Sequence, residues 1–105
     1  MKGFILRYND NLTPREIIDI NNILFGRIVK IYRNGKYHYY YYRGLFHNIA
    51  FFKLSNGCYF TQYINNIPNN INILSANINI KKRELKTAKE YFKEKYTGKK
   101  VNNLE

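Results

Sequence analysis

The sequence has few cysteine, proline and acidic residues and no tryptophan. One of its 105 residues is a cysteine, Cys58, and two are prolines. A single cysteine allows neither an internal disulfide nor a cysteine-based zinc site, so we expect packing alone to stabilise the fold. The few aspartates and the scattered glycines match no metal-binding or nucleotide-binding motif. We therefore expect no metal ion and no cofactor, and we expect Cys58 to be an ordinary strand residue.

The sequence also lacks long hydrophobic runs. None approaches the roughly 20 apolar residues that a membrane-spanning helix requires. The opening segment, MKGFILRYND, contains only a short apolar run, which falls far below the core of a secretory signal. We therefore expect an intracellular, cytoplasmic protein that has no membrane partner.

Acidic residues are scarce, since 7 Asp and Glu stand against 18 Lys and Arg, which gives a formal net charge of +11. A charge of this size on a small chain attracts polyanions. The content of 45% hydrophobic and 24% charged residues is ordinary for a folded protein. A chain of this length supports one domain, which we place at residues 1–98, with a basic, frayed tail at residues 99–105.

The most distinctive segment runs from Arg27 to Arg43, RIVKIYRNGKYHYYYYR, with Asn34-Gly35 between two β-prone runs. Such a pair predicts a β-hairpin, because Asn and Gly tolerate the positive φ angles of a type I′ turn. Counting outward from the turn gives the cross-strand pairs, and opposed residues share a face. One face then carries Ile28, Lys30, Tyr32, Tyr37, Tyr39 and Tyr41. The sequence does not determine which face is buried, and base stacking on the tyrosines requires this face to point to solvent.

Before this hairpin, the sequence predicts one strand and one helix. Gly3 to Tyr8 is β-prone. A helix is predicted from Pro14 to Phe25, because Thr13 is a favourable N-cap, Pro14 suits the first helical position and Gly26 provides a stop.

After the hairpin, a second Asn-Gly pair, Asn56-Gly57, predicts another hairpin in which Leu54 faces Tyr59. Residues 64–80 are interpreted as a packed connection, although the alternation in Ile71-Asn72-Ile73 and Ile78-Asn79-Ile80 also allows a short edge strand. A basic helix is predicted from about Asn79 to Gly98. The expected fold is a single α+β domain. Its antiparallel sheet is built from the first strand and both hairpins and packs against the N-terminal and C-terminal helices.

The tyrosines and cations of the hairpin predict a surface on which unpaired bases stack and phosphates are neutralised. The plain alternative is that tyrosine is simply a good strand former. We expect nucleic acid as the partner, with RNA favoured over DNA. The candidate binding residues of the hairpin are Lys30, Tyr32, Arg33, Lys36, Tyr37, Tyr39, Tyr41 and Arg43.

The segment from Lys81 to Lys100 contains nine of the 18 basic residues. A charged helix face is often merely solvated, but this one could also contact phosphates. Its candidate binding residues are Lys82, Arg83, Lys86, Lys89 and Lys93.

Three functions are compatible with these features. We favour a non-catalytic RNA-binding protein, an accessory subunit of a ribonucleoprotein or nucleic-acid-processing complex. The first alternative is a small metal-free endoribonuclease that uses His38 and His47, with a nearby tyrosine and lysine, for general acid-base chemistry. The second is a protein-protein interaction module that uses the exposed tyrosines, a residue type enriched at the centres of interfaces.

Overall fold

The computed structural model describes residues 1–104, and within them seven strands and two α-helices form an α+β fold. This confirms the predicted fold class. In chain order the elements are β1 (Lys2–Tyr8), α1 (Pro14–Phe25), β2 (Gly26–Arg33), β3 (Lys36–Arg43), β4 (Phe51–Ser55), β5 (Cys58–Thr61), β6 (Ile71–Asn77), α2 (Ala88–Lys95) and β7 (Val101–Asn102). Short 3₁₀ helices cover Leu45–His47 and Lys82–Glu84. Neither α-helix is long and apolar enough to span a membrane.

The strands form two sheets, where the sequence predicted one. The first sheet is antiparallel with the order β4-β5-β1-β6, and the second has the order β2-β3-β7. The first hairpin cannot join β1, because β5 and β6 already occupy both edges of that strand. It therefore forms a separate sheet with β7, which pairs in parallel with β3.

Helix α1 begins and ends where the sequence predicts. The backbone N–H of Glu16 donates to Thr13 Oγ1 at 3.2 Å, and the backbone N–H of Thr13 donates to the Glu16 carboxylate at 3.1 Å. This capping box satisfies N–H groups that lack a partner within the helix. The helix ends at Gly26, whose φ of 79° is poorly tolerated by other residues.

The first hairpin pairs Tyr32 with Tyr37, Lys30 with Tyr39 and Ile28 with Tyr41. These are the pairs obtained by counting outward from Asn34-Gly35. Asn34 and Gly35 have φ angles of 53° and 80°, as a type I′ turn requires.

The register of the second hairpin differs from the prediction. A bulge between Lys53 and Ser55 places Lys53, and not Leu54, opposite Tyr59. The extra residue moves the remaining pairs by one position. As a result Phe51 shares a face with Tyr59 and packs beside it, with ring centroids 5.9 Å apart.

Within the segment predicted as a connection, residues 71–77 form the edge strand β6, which pairs with β1 along its whole length. The C-terminal helix is shorter than predicted. Lys86 pairs with Phe51 through backbone hydrogen bonds of 2.8 and 2.9 Å, so the chain is extended there and α2 begins only at Ala88.

The predicted frayed tail is packed into the fold up to the last described residue. Val101 lies opposite Tyr39 in the second sheet, and Leu104 is buried. These two side chains form a small core with Tyr41 and Phe92. A larger core lies between α1 and the first sheet and includes Leu6, Ile20, Leu24, Phe46, Ile71 and Ala88.

Candidate nucleic-acid interface

The tip of the first hairpin exposes two tyrosines beside a lysine. Tyr32 and Tyr37 are 63% and 55% exposed, and their ring centroids lie 5.0 Å apart in an edge-to-face arrangement. Lys30 Nζ lies 3.9 Å from the centroid of the Tyr37 ring. We call these three residues the tip cluster. Cross-strand pairing places them on one face, where they combine accessible aromatic surface with a positive charge.

Toward the base of the hairpin, the same face is covered by α2 and the C-terminal segment. Tyr39 is half-buried and packs against Tyr96 at 6.0 Å, and Tyr41 is buried against Phe92 at 5.4 Å. Base stacking on all four tyrosines requires this face to point to solvent. Tyr32 and Tyr37 meet that requirement, Tyr39 meets it in part and Tyr41 does not. Tyr41 belongs to the core and offers no surface for a base.

Tyr41 also holds a buried histidine. His47 is 7% exposed, and its Nδ1 lies 3.0 Å from the Tyr41 hydroxyl. Burial lowers the pKa of His47, and the positive charges of Arg43, Lys89 and Lys93 lower it further. Three predicted binding residues, one from β3 and two from α2, thus act on the same ring. The base of the hairpin and α2 therefore bring positive charges close to the same buried side chain.

Lysines of the C-terminal segment line a shallow concavity of about 320 Å³ at the end of α2. Lys93, Lys99 and Lys100 contribute the positive charge, and Tyr96 lies beside them. Lys99 Nζ lies 5.1 Å from the centroid of the Tyr39 ring. A lysine therefore lies beside Tyr39 near this concavity, as Lys30 lies beside Tyr37 in the tip cluster. Lys99 is separated from Tyr39 by 60 positions in the sequence, so no local pattern could have placed the two residues together.

The other three predicted residues of the basic segment lie outside α2. Lys82 and Arg83 are exposed in a 3₁₀ helix, so they do not share a helical face with Lys89 and Lys93. Lys86 lies in the extended segment before α2, and its Nζ forms a salt bridge of 3.0 Å with Glu94. The prediction of a continuous basic helix face is therefore wrong.

The opposite face of the hairpin carries a second set of cations and tyrosines. The Arg33 guanidinium donates to the Tyr40 hydroxyl at 2.9 Å, and the Arg27 guanidinium lies 5.5 Å from the Tyr42 ring centroid. Lys36 is exposed beside the turn. Arg27, Tyr40 and Tyr42 are not among the binding residues predicted from the sequence. The same count from the turn could have found them, because it places Arg27 opposite Tyr42.

The two histidines do not form a joint site. His38 lies on the face of β3 opposite to Tyr41, whereas His47 contacts Tyr41 and is buried. Residues 1–104 also contain no group of three or more His, Cys, Asp or Glu side chains arranged to hold a metal ion. His38 and His47 are therefore not arranged as a general acid and a general base that act on one bound group.

Comparisons with protein-family models, with characterised proteins and with solved structures find no match to this chain.

Proposed function

We propose that this protein binds single-stranded RNA through the first hairpin and does not cleave it. The observation that carries the proposal is the tip cluster. Two exposed tyrosines from neighbouring strands lie on one face of the hairpin, and a lysine Nζ lies 3.9 Å from the centre of one of their rings. Aromatic side chains of this kind stack on unpaired bases, while a neighbouring cation neutralises the phosphate.

The charge distribution supports the same proposal. The formal net charge is +11, and Arg43, Lys89, Lys93 and Lys99 lie along the base of the hairpin and the adjoining α2 segment. A strand stacked on the tip would extend its phosphates toward these cations. Contacts with phosphate set the position and the affinity, but they carry no sequence information. We therefore expect binding with little sequence preference.

Single strands fit this surface better than duplexes do. The bases of a duplex are stacked on one another, so tyrosine rings gain access only where bases are unpaired. A small basic protein that holds exposed single-stranded RNA suits the role of an accessory subunit in a ribonucleoprotein or nucleic-acid-processing complex.

The test is a titration of labelled single-stranded RNA, duplex RNA and duplex DNA, followed by fluorescence anisotropy at two salt concentrations. We expect single-stranded RNA to bind most tightly, with an affinity that falls steeply as salt rises. Equal affinity for all three would contradict the stacking component, and absence of binding at low salt would contradict the proposal as a whole. The same samples, resolved on a denaturing gel after incubation with a chelator, would reveal a metal-free nuclease if the RNA is cleaved.

A further inference from the structure

A cleft lies away from the hairpin tip, between α1, the first sheet and α2. Its volume is about 550 Å³, which is within the range of small-molecule sites. Aromatic side chains from four elements line it, with two lysines and an asparagine. The lining residues that matter here are Asn21, Phe25, Phe51, Lys53, Tyr59 and Lys95.

The apolar part of the cleft is made of aromatic rings packed at different angles. The centroid of the Phe25 ring lies 5.0 Å from that of Phe51 and 4.9 Å from that of Tyr59. Tyr91, which is 50% exposed, lies at the α2 side of the cleft. Such a lining favours a flat aromatic ligand, because ring stacking adds to the burial of apolar surface.

The polar part of the cleft favours a negative charge on that ligand. Lys53 and Lys95 both line the cleft, and no acidic residue does. The ion pairs among residues 1–104 involve other cations: they join Arg7 to Asp10, Arg15 to Asp19 and Lys86 to Glu94. No carboxylate among the described residues therefore forms an ion pair with either lysine of the cleft.

Asn21 supplies a fixed hydrogen-bond donor at the same place. Its side-chain Oδ1 accepts a hydrogen bond of 2.6 Å from the Tyr8 hydroxyl. This bond fixes the orientation of the amide and leaves its NH₂ group free of any protein acceptor in the described residues. An amide donor in an aromatic cleft suits the carbonyl oxygen or ring nitrogen of a base.

From these three features we propose that the cleft binds a nucleotide, with the base against the exposed edge of the aromatic lining and the phosphate at Lys53 and Lys95. The nucleotide could be free or could be one residue of a bound strand, since both present the same chemistry. The cleft and the tip cluster have no residue in common. Nucleotide binding in the cleft can therefore be tested independently of RNA binding at the hairpin.

The test is a titration of the full-length protein with a nucleoside monophosphate at millimolar concentrations, followed by amide chemical shifts in NMR spectra. We expect saturable shifts at residues around the cleft, including Gly26 and Ala88. Inorganic phosphate alone and the nucleoside alone should both bind more weakly than the nucleotide. Absence of saturable shifts at the cleft, or equal binding of inorganic phosphate, would overturn the proposal.

Variants locate the site. Lys53→Gln and Lys95→Gln should each weaken nucleotide binding about tenfold, because each removes a charge-assisted contact. Lys2→Gln and Lys81→Gln remove the same charge outside the cleft and serve as controls. An equal loss in these controls would show that the nucleotide responds only to net charge and would overturn the assignment.

A competition experiment separates the two sources of the nucleotide. If the cleft holds one residue of a bound strand, the nucleoside monophosphate should displace labelled RNA in part, and Lys53→Gln should weaken RNA binding. If the cleft holds a free nucleotide, RNA and the nucleotide should bind to the protein at the same time. Either result supports the site, provided that the NMR shifts at the cleft saturate.

Discussion

The hydroxyl of Tyr41 lies 3.0 Å from Nδ1 of His47, and both side chains are buried. This contact joins β3 to the 3₁₀ helix at Leu45–His47, and the Tyr41 ring also packs against Phe92 of α2. Strand β3, the 3₁₀ helix and α2 therefore meet at Tyr41, which lies in the small core with Phe92, Val101 and Leu104.

The first prediction concerns pH. Burial and the nearby charges of Arg43, Lys89 and Lys93 lower the pKa of His47, whereas the unfolded chain binds the proton near pH 6.5. As the pH falls through 6.5, the unfolded state takes up the proton more readily than the folded state, so the free energy of unfolding should decrease. Denaturant unfolding measured between pH 5 and pH 7.5 tests this.

The control for this prediction is His47→Gln, which removes the titrating group. The slope of stability against pH should be smaller in this variant than in the wild-type protein. A slope that is unchanged by the substitution would assign the acid sensitivity to other groups.

The second prediction compares two tyrosines of the same strand. Tyr41→Phe removes the partner of a buried histidine nitrogen and should lower the free energy of unfolding by about 1–3 kcal/mol. Tyr37→Phe alters an exposed side chain and should change it by less than about 0.5 kcal/mol. Equal effects of the two variants would show that the hydroxyl of Tyr41 is not paired in the folded protein.

Local signals in the sequence predicted the elements that depend on local contacts. The capping box of Thr13 and Glu16 defined the start of α1, and Asn34-Gly35 defined the turn of the first hairpin. Both features are set by interactions between residues close in the chain. The tip cluster was predicted for the same reason, since its register follows from the turn.

Features that depend on distant partners could not be predicted in this way. The burial of Tyr41 depends on Phe92 and Leu104, which lie far along the chain. The start of α2 has a local signal that was overlooked, because the backbone N–H of Glu90 donates to Thr87 Oγ1 at 3.2 Å. The extended conformation of Lys86 just before it, however, depends on pairing with Phe51. No pattern within either segment indicates its partner.

The third prediction concerns the C-terminal segment, which the sequence suggested would be frayed. Leu104 is 6% exposed and packs in the core that contains Tyr41. Leu104→Ala should therefore lower the free energy of unfolding by roughly 2–5 kcal/mol. Lys100→Ala, an exposed neighbour, should have almost no effect in the same denaturant titration. A negligible effect of Leu104→Ala would show that the segment is not packed in solution.

The fourth prediction concerns the concavity lined by Lys93, Lys99 and Lys100. If these lysines contact phosphates, replacing all three by Gln should weaken binding of every RNA sequence about equally and reduce the dependence of log Kd on log salt. The matched control replaces Lys2, Arg15 and Lys81 by Gln, because these three residues are exposed elsewhere on the chain and are not candidate binding residues. If both triple variants change the salt dependence equally, the concavity has no particular role.

The fifth prediction separates base stacking from simple charge attraction. Tyr37→Ala removes an exposed ring from the tip cluster and should weaken binding of single-stranded RNA by roughly 1–3 kcal/mol, while the melting temperature stays nearly unchanged. Tyr63→Ala is the matched control, because Tyr63 is 70% exposed but lies beyond β5, outside the hairpin. Neither substitution alters the net charge, so a loss specific to Tyr37 would have to come from the ring itself. Equal affinities for both variants, measured by fluorescence anisotropy at the same salt concentration, would refute stacking at the tip and leave only electrostatic attraction.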